Sequence, residues 1–208
     1  MSKILKSNAA TVVVGIFAGI LCRLSDLFPY ESLWSLSSVA TLFGFWIVSV
    51  SVITMYSTSH KAAFQNTFLY MFGMTIAFYT LKYLLGLFVP QFDNDGVFQT
   101  NLFLLYTGVS LICGFGSAVL HFWNRVSWYS SILYALPAGA LFAEGIACGI
   151  VLLSKNMLLG QTIFDLAAAC WFSIVLGKRA QNKWLFVSAL VAFAAGVFLV
   201  VYKNWVIF

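Results

Sequence analysis

The chain has 208 residues, of which 62% are hydrophobic and only 8% charged, where a soluble domain carries roughly 25% charged residues. So few charges cannot solvate a fold of this size, which excludes an ordinary soluble domain and leaves a single transmembrane domain over residues 1–208. The net charge of +5 is no nucleic-acid footprint, because the basic residues stand mostly singly and near segment ends; no nucleic-acid partner is expected.

A helix needs about 20 apolar residues to cross roughly 30 Å of hydrocarbon. The apolar runs here are continuous rather than alternating, so the expected fold is an all-α polytopic bundle and not a barrel. In chain order the predicted spans are 9–28, 33–56, 62–89, 100–123, 128–153, 157–176 and 184–202, seven in all. Lys3 and Lys6 precede the first span as in a secretory signal, but no small-x-small cleavage site follows, so it is read as a retained helix. The second opens on the hydroxyls of Ser35, Ser37, Ser38 and Thr41. Breaks fall at Ser57 to Lys61, at Pro90 to Gly96, at Asn124-Arg125 and at Gly177 to Lys183. Trp34, Trp123, Trp128, Trp184 and Trp205 lie near span ends, where an amphipathic ring prefers the interface. Trp46 and Trp171 lie within spans and are expected to pack inside.

Basic residues set the orientation. With the connections numbered alternately, the N-terminal side holds Lys3, Lys6, Lys61, Arg125, Lys178, Arg179 and Lys183, while Arg23, Lys82, Lys155 and Lys203 belong to the other. The loop carboxylates Asp26, Glu31, Asp93 and Asp95 all fall on that second side. The N-terminus is therefore expected in the cytoplasm and the C-terminus outside, the membrane being a bacterial plasma membrane.

Ionised groups inside hydrocarbon cost roughly 2.5–3.5 kcal/mol each on insertion scales and demand an explanation. Glu144 lies in the middle of the fifth span and Asp165 inside the sixth, both some 12–14 Å from the outer ends of their helices at about 1.5 Å per residue. Lys82 and Arg23 sit in the outer parts of the third and first spans. Around them, Gly15, Ala18, Gly19, Cys22, Arg23 and Asp26 recur at helical spacing, as do Thr75, Tyr79 and Lys82, and Pro137, Ala140, Glu144 and Cys148. Gln161 stands one turn before Asp165. Gly15 with Gly19, and Gly145 with Gly149, are small-xxx-small pairs suited to close helix packing. Either Arg23, Lys82, Glu144 and Asp165 pair with one another and lock the helices, or they bind a polar or charged solute in the outer half together with Tyr79 and Gln161, or relay protons.

Other chemistry finds little purchase. Cys22, Cys113, Cys148 and Cys170 lie in spans without a C-x-x-C, and His60 and His121 have no carboxylate on their side, so no metal site and no cofactor are expected. Asp93-Asn94-Asp95-Gly96 opens like a calcium loop, but its twelfth position is Leu104 instead of glutamate. There is no H-E-x-x-H and no phosphate-binding glycine loop.

Leu33-Trp34-Ser35-Leu36-Ser37-Ser38 and Ala138-Gly139-Ala140-Leu141-Phe142-Ala143-Glu144 resemble segments of an uncharacterised family of small bacterial multi-span proteins, a resemblance that implies no activity. In size, hydrophobicity and the Gly15/Gly19 pair, the chain is also similar to the substrate-capture subunits of energy-coupling-factor vitamin transporters, which normally have six spans. That resemblance implies an outward-facing solute site. The leading expectation is a small transporter or solute-binding membrane subunit, with the bilayer, a small polar solute and a membrane-protein partner or second copy as its contacts. A structural or accessory protein acting through the glycine faces is the alternative. An intramembrane hydrolase using Glu144 and Asp165 comes third.

Overall fold

The computed structural model describes residues 7–88, 97–125 and 127–207. Lys3, Lys6, Val89 and the expected break from Pro90 to Gly96, with Asp93 and Asp95, lie outside them. The described residues form helices α1 (Asn8–Ser25), α2 (Ser38–Thr41), α3 (Gly44–Tyr56), α4 (His60–Phe88), α5 (Thr100–Leu120), α6 (Trp128–Lys155), α7 (Leu159–Gly177), α8 (Lys183–Val197) and α9 (Lys203–Ile207). A 3-10 turn, His121–Asn124, extends α5, and a π-helical segment, Phe198–Tyr202, joins α8 to α9. Among the described residues six helices are long and apolar enough to cross a membrane: α1, α4, α6, α7, and α5 and α8 with their extensions.

The second expected span is not one helix. Residues 26–37 form turns, Leu42 is extended at ψ 168°, and only α3 continues, with 13 residues or about 20 Å of rise. The serines explain the turns, because their hydroxyls compete for backbone groups. Ser38 Oγ donates to the Ser35 carbonyl at 2.6 Å, and Thr41 Oγ1 to that of Ser37 at 2.6 Å.

Contacts group the chain into two units, Met1–Leu27 with Val52–His121, and Phe28–Ser51 with Phe122–Phe208. In the first, α4 packs against both α1 and α5. Gly15 and Gly19 permit this: a Cβ on either would run into the backbone carbonyl of Tyr70 or of Met74 in α4. On the other face of α4, Phe64 lies against Phe115 of α5 with ring centroids 4.9 Å apart.

In the second unit, α6 packs against α7 and α8 and runs unbroken through Pro137. Leu166 of α7 fits against Gly145, and the Leu190 carbonyl of α8 lies 3.0 Å from where a Cβ of Gly139 would stand. α6 ends at Asn156, which takes the left-handed conformation at φ 58° that closes many helices. Leu158, also left-handed at φ 70°, precedes α7 and is fully buried. The serine-rich turn is pinned there: Leu159 N–H donates to the Leu33 carbonyl at 2.9 Å and Leu158 N–H to Ser35 Oγ at 3.3 Å.

Two tryptophans depart from expectation. Trp123 is 1% exposed and stacks on Tyr134 at 5.4 Å, so it is a packing residue and not an interfacial anchor. Trp171, expected inside, is 46% exposed, because the inner face of α7 is taken by Gln161, Asp165, Ala169 and Phe172.

Candidate functional site

The residues picked out in the sequence fall in both units. Arg23, Tyr79 and Lys82 belong to the first, Glu144, Gln161 and Asp165 to the second.

In the first unit Arg23 is 6% exposed, and its Nη1 donates to Asp26 Oδ2 at 2.8 Å. This arginine therefore pairs with the carboxylate one turn away on its own chain segment. The guanidinium also lies 5.8 Å from the centre of the Phe78 ring, within the range of a cation–π contact. Lys82 is within electrostatic reach of Arg23 and Asp26. Together with Tyr79, Tyr83, Val97 and Gln99 it lines a shallow recess. Tyr79 is held by aromatic contacts with Phe78, Phe103 and Tyr106.

The second unit contains a tighter constellation. Glu144, Gln161 and Asp165 are each 0% exposed. Glu144 Oε1 accepts the backbone N–H of Phe43 at 2.8 Å. Phe43 stands immediately before α3, and its carbonyl accepts the first turn's N–H from Ile47 at 2.8 Å, so the glutamate supplies an acceptor at the head of a helix that has no side-chain cap of its own. Negative charge is favoured at such a helix end. Gln161 Nε2 donates to both oxygens of Asp165, at 2.8 and 2.9 Å. Gly44 lies directly against this pair, since a Cβ there would overlap Asp165 Oδ1 and stand 2.8 Å from Gln161 Nε2. Asp165 Cβ in turn lies 3.3 Å from where a Cβ of Gly145 would be. The two carboxylates thus bracket the Phe43–Gly44 step.

Two buried oxygens in this constellation have no hydrogen-bond partner among the described residues, Glu144 Oε2 and Gln161 Oε1. The Tyr202 hydroxyl, carried inward by the π-helical segment, faces the Glu144 carboxylate, and the Cys148 thiol lies within electrostatic reach of both acids. Among the described residues neither carboxylate is in a salt bridge; the ion pair present is Arg23–Asp26. Taking an unpaired carboxylate out of water costs several kcal/mol even after relaxation. Two together need a positively charged third party or a proton.

Sequence reasoning missed Phe43, Gly44 and Tyr202. A glycine in mid-span was the available signal for the first two; no spacing rule links Tyr202 to Glu144. It also missed a polar cluster in the first unit. There Thr54, Thr67 and Ser117 join their hydroxyls at 2.6 and 2.9 Å, and Ser117 donates to the Ala63 carbonyl at 3.2 Å. His60 and His121, distant in sequence, come together with ring centroids 4.7 Å apart. His60 Nδ1–H donates to the Ala118 carbonyl and His121 Nε2–H to that of Ser57, both at 3.1 Å.

The glycine faces are occupied within the chain. Gly15 and Gly19 meet α4 and Gly145 meets α7, while Gly149 has Thr162 Cγ2 at 3.8 Å. No family model, curated protein or solved structure matches this chain.

Proposed function

We propose that the protein is a small integral membrane transporter, or the solute-binding subunit of one, that takes a cation at Glu144 and Asp165. The observation supporting this is a pair of fully buried carboxylates, without a salt bridge among the described residues, at the head of a short apolar helix. Helices that stop and restart inside the membrane place backbone dipoles next to ions in many transporters. On this reading the segment from Leu27 to Tyr56 crosses the membrane as a broken helix, giving seven crossings with the N-terminus in the cytoplasm of a bacterial cell. The site then sits in the outer half.

Proteoliposomes test the reading. Uptake of labelled sodium, rubidium or methylammonium down an imposed gradient should exceed that of protein-free vesicles for at least one ion. Glu144→Gln and Asp165→Asn should remove that excess while leaving the elution profile and helix content intact. Wild-type uptake by the two folded variants, or neither uptake nor saturable binding of any of the three ions by the wild type, would overturn it.

A further inference from the structure

We propose that the constellation before α3 is a site for one dehydrated alkali cation of sodium size, ligated by Glu144 Oε2, Gln161 Oε1, an Asp165 oxygen and the Tyr202 hydroxyl. This rests on the cation-binding reading above and assigns its ligand.

Each donor is accounted for by what its other atoms do. Glu144 is held through Oε1 by the Phe43 N–H, which leaves Oε2, buried and without a hydrogen-bond partner among the described residues, to a ligand. Gln161 spends its Nε2 on both Asp165 oxygens, so its amide is fixed and Oε1 is left as a buried acceptor. In that orientation the amide dipole presents its negative end, which suits a cation and repels an anion. Asp165 accepts one hydrogen bond on each oxygen and keeps lone pairs on both. The Tyr202 hydroxyl, 5% exposed at the residue level, completes the group on the side of Glu144.

The donor set selects the class of ion. All four donors are oxygens, the ligands of hard cations. Transition metals lack their usual ligands here, since among the described residues no group of three or more His, Cys, Asp or Glu is placed to hold one. Calcium takes 6–8 oxygens, and magnesium keeps most of its water, whereas these side chains offer four donors in a fully buried setting. At Gly44 the space beside the Asp165–Gln161 pair is already filled, since a Cβ there would overlap Asp165 Oδ1. A bare monovalent ion is what remains.

The test is equilibrium binding of labelled sodium to the purified full-length protein in detergent, at constant ionic strength held with choline chloride. Saturable binding of one sodium ion per chain, displaced by unlabelled sodium and not by methylammonium, is expected. Gln161→Leu, which keeps the volume and removes the amide oxygen, should weaken it at least tenfold, as should Glu144→Gln. A sodium-dependent rise in the melting temperature of the wild type, absent with choline, reads the same site without any variant. No saturable sodium binding, or binding unchanged in folded Gln161→Leu and Glu144→Gln proteins, overturns the inference. If sodium fails to bind while uptake of another cation still depends on Glu144, this inference falls and the proposed function stands. Should sodium bind as described while no ion is transported, the site stands and transport falls.

Discussion

At the scale of single residues, Gly44 carries the sharpest consequence. Its missing side chain lets the start of α3 approach Asp165 and Gln161, and a methyl group there would overlap the carboxylate. Overpacking of this kind costs about 1–3 kcal/mol, so Gly44→Ala should lower the melting temperature and weaken whatever the carboxylates bind. Gly108 and Gly116 of α5 supply the control, because a Cβ on either meets nothing within 4 Å. There alanine should be neutral or stabilise by about 0.5–1 kcal/mol, the usual gain for replacing glycine inside a helix. Thermal unfolding in one detergent compares all three. Glu144 offers a second comparison. Glutamine at this position keeps an acceptor for the Phe43 N–H and leucine does not, so Glu144→Leu should cost about 1–3 kcal/mol more than Glu144→Gln, the penalty of a buried donor left unpaired. Equal stability of the two would show that this hydrogen bond contributes nothing to holding α3. The acidic residues themselves were legible in the sequence, since charge in a hydrophobic run is conspicuous. Their backbone partner was not: a hydrogen bond across 101 positions of sequence leaves no trace in local pattern.

At the scale of elements, the packing of α1 on α4 depends on backbone contact, whereas the α6 glycines facing α7 meet side chains. A Cβ at Gly15 or Gly19 meets main-chain carbonyls, which cannot move aside without shifting a helix, while one at Gly149 meets only Thr162 Cγ2 at 3.8 Å. Gly15→Ala and Gly19→Ala should therefore each reduce the yield of folded protein and the melting temperature well below those of Gly149→Ala. Comparable behaviour of all three would sink this account of the α1–α4 contact. The sequence marks these glycines as packing surfaces, with an external partner among the candidates for the other side; α4 and α7 meet all four of them within the chain. Periodicity reveals that a face is small, and it has no means of telling which helix covers it. For the long helices, apolar run length sufficed to locate them. It failed for residues 33–56, where an unbroken apolar count concealed the serine cluster's preference for turns and the stop at Leu42.

For the whole molecule, the broken second segment raises the question of whether residues 27–56 cross the membrane, and the basic residues argue that they do. If that stretch crosses, the cations divide seven to four: Lys3, Lys6, Lys61, Arg125, Lys178, Arg179 and Lys183 against Arg23, Lys82, Lys155 and Lys203. If it returns to its own side, everything after it changes face. The division then becomes six to five, with Lys61, Arg125, Lys178, Arg179 and Lys183 joining Arg23. The carboxylates follow the same logic, because Asp26, Glu31, Asp93 and Asp95 share a side only in the first arrangement. Orientation responds to the excess of Lys and Arg in short cytoplasmic loops, and a near-even split would leave it almost undetermined. Length does not forbid the crossing, since α3 supplies about 20 Å of the roughly 30 Å required and the turns that precede it have only the remainder to cover. The two arrangements differ at the C-terminus, which lies opposite the N-terminus with seven crossings and beside it with six. In a bacterial host, alkaline phosphatase fused after Phe208 should be active and green fluorescent protein fused there should be dark, with the reverse result for fusions in the Lys178–Gln181 turn. A fluorescent C-terminal fusion paired with a cytoplasmic N-terminus would mean that α3 enters the membrane and turns back.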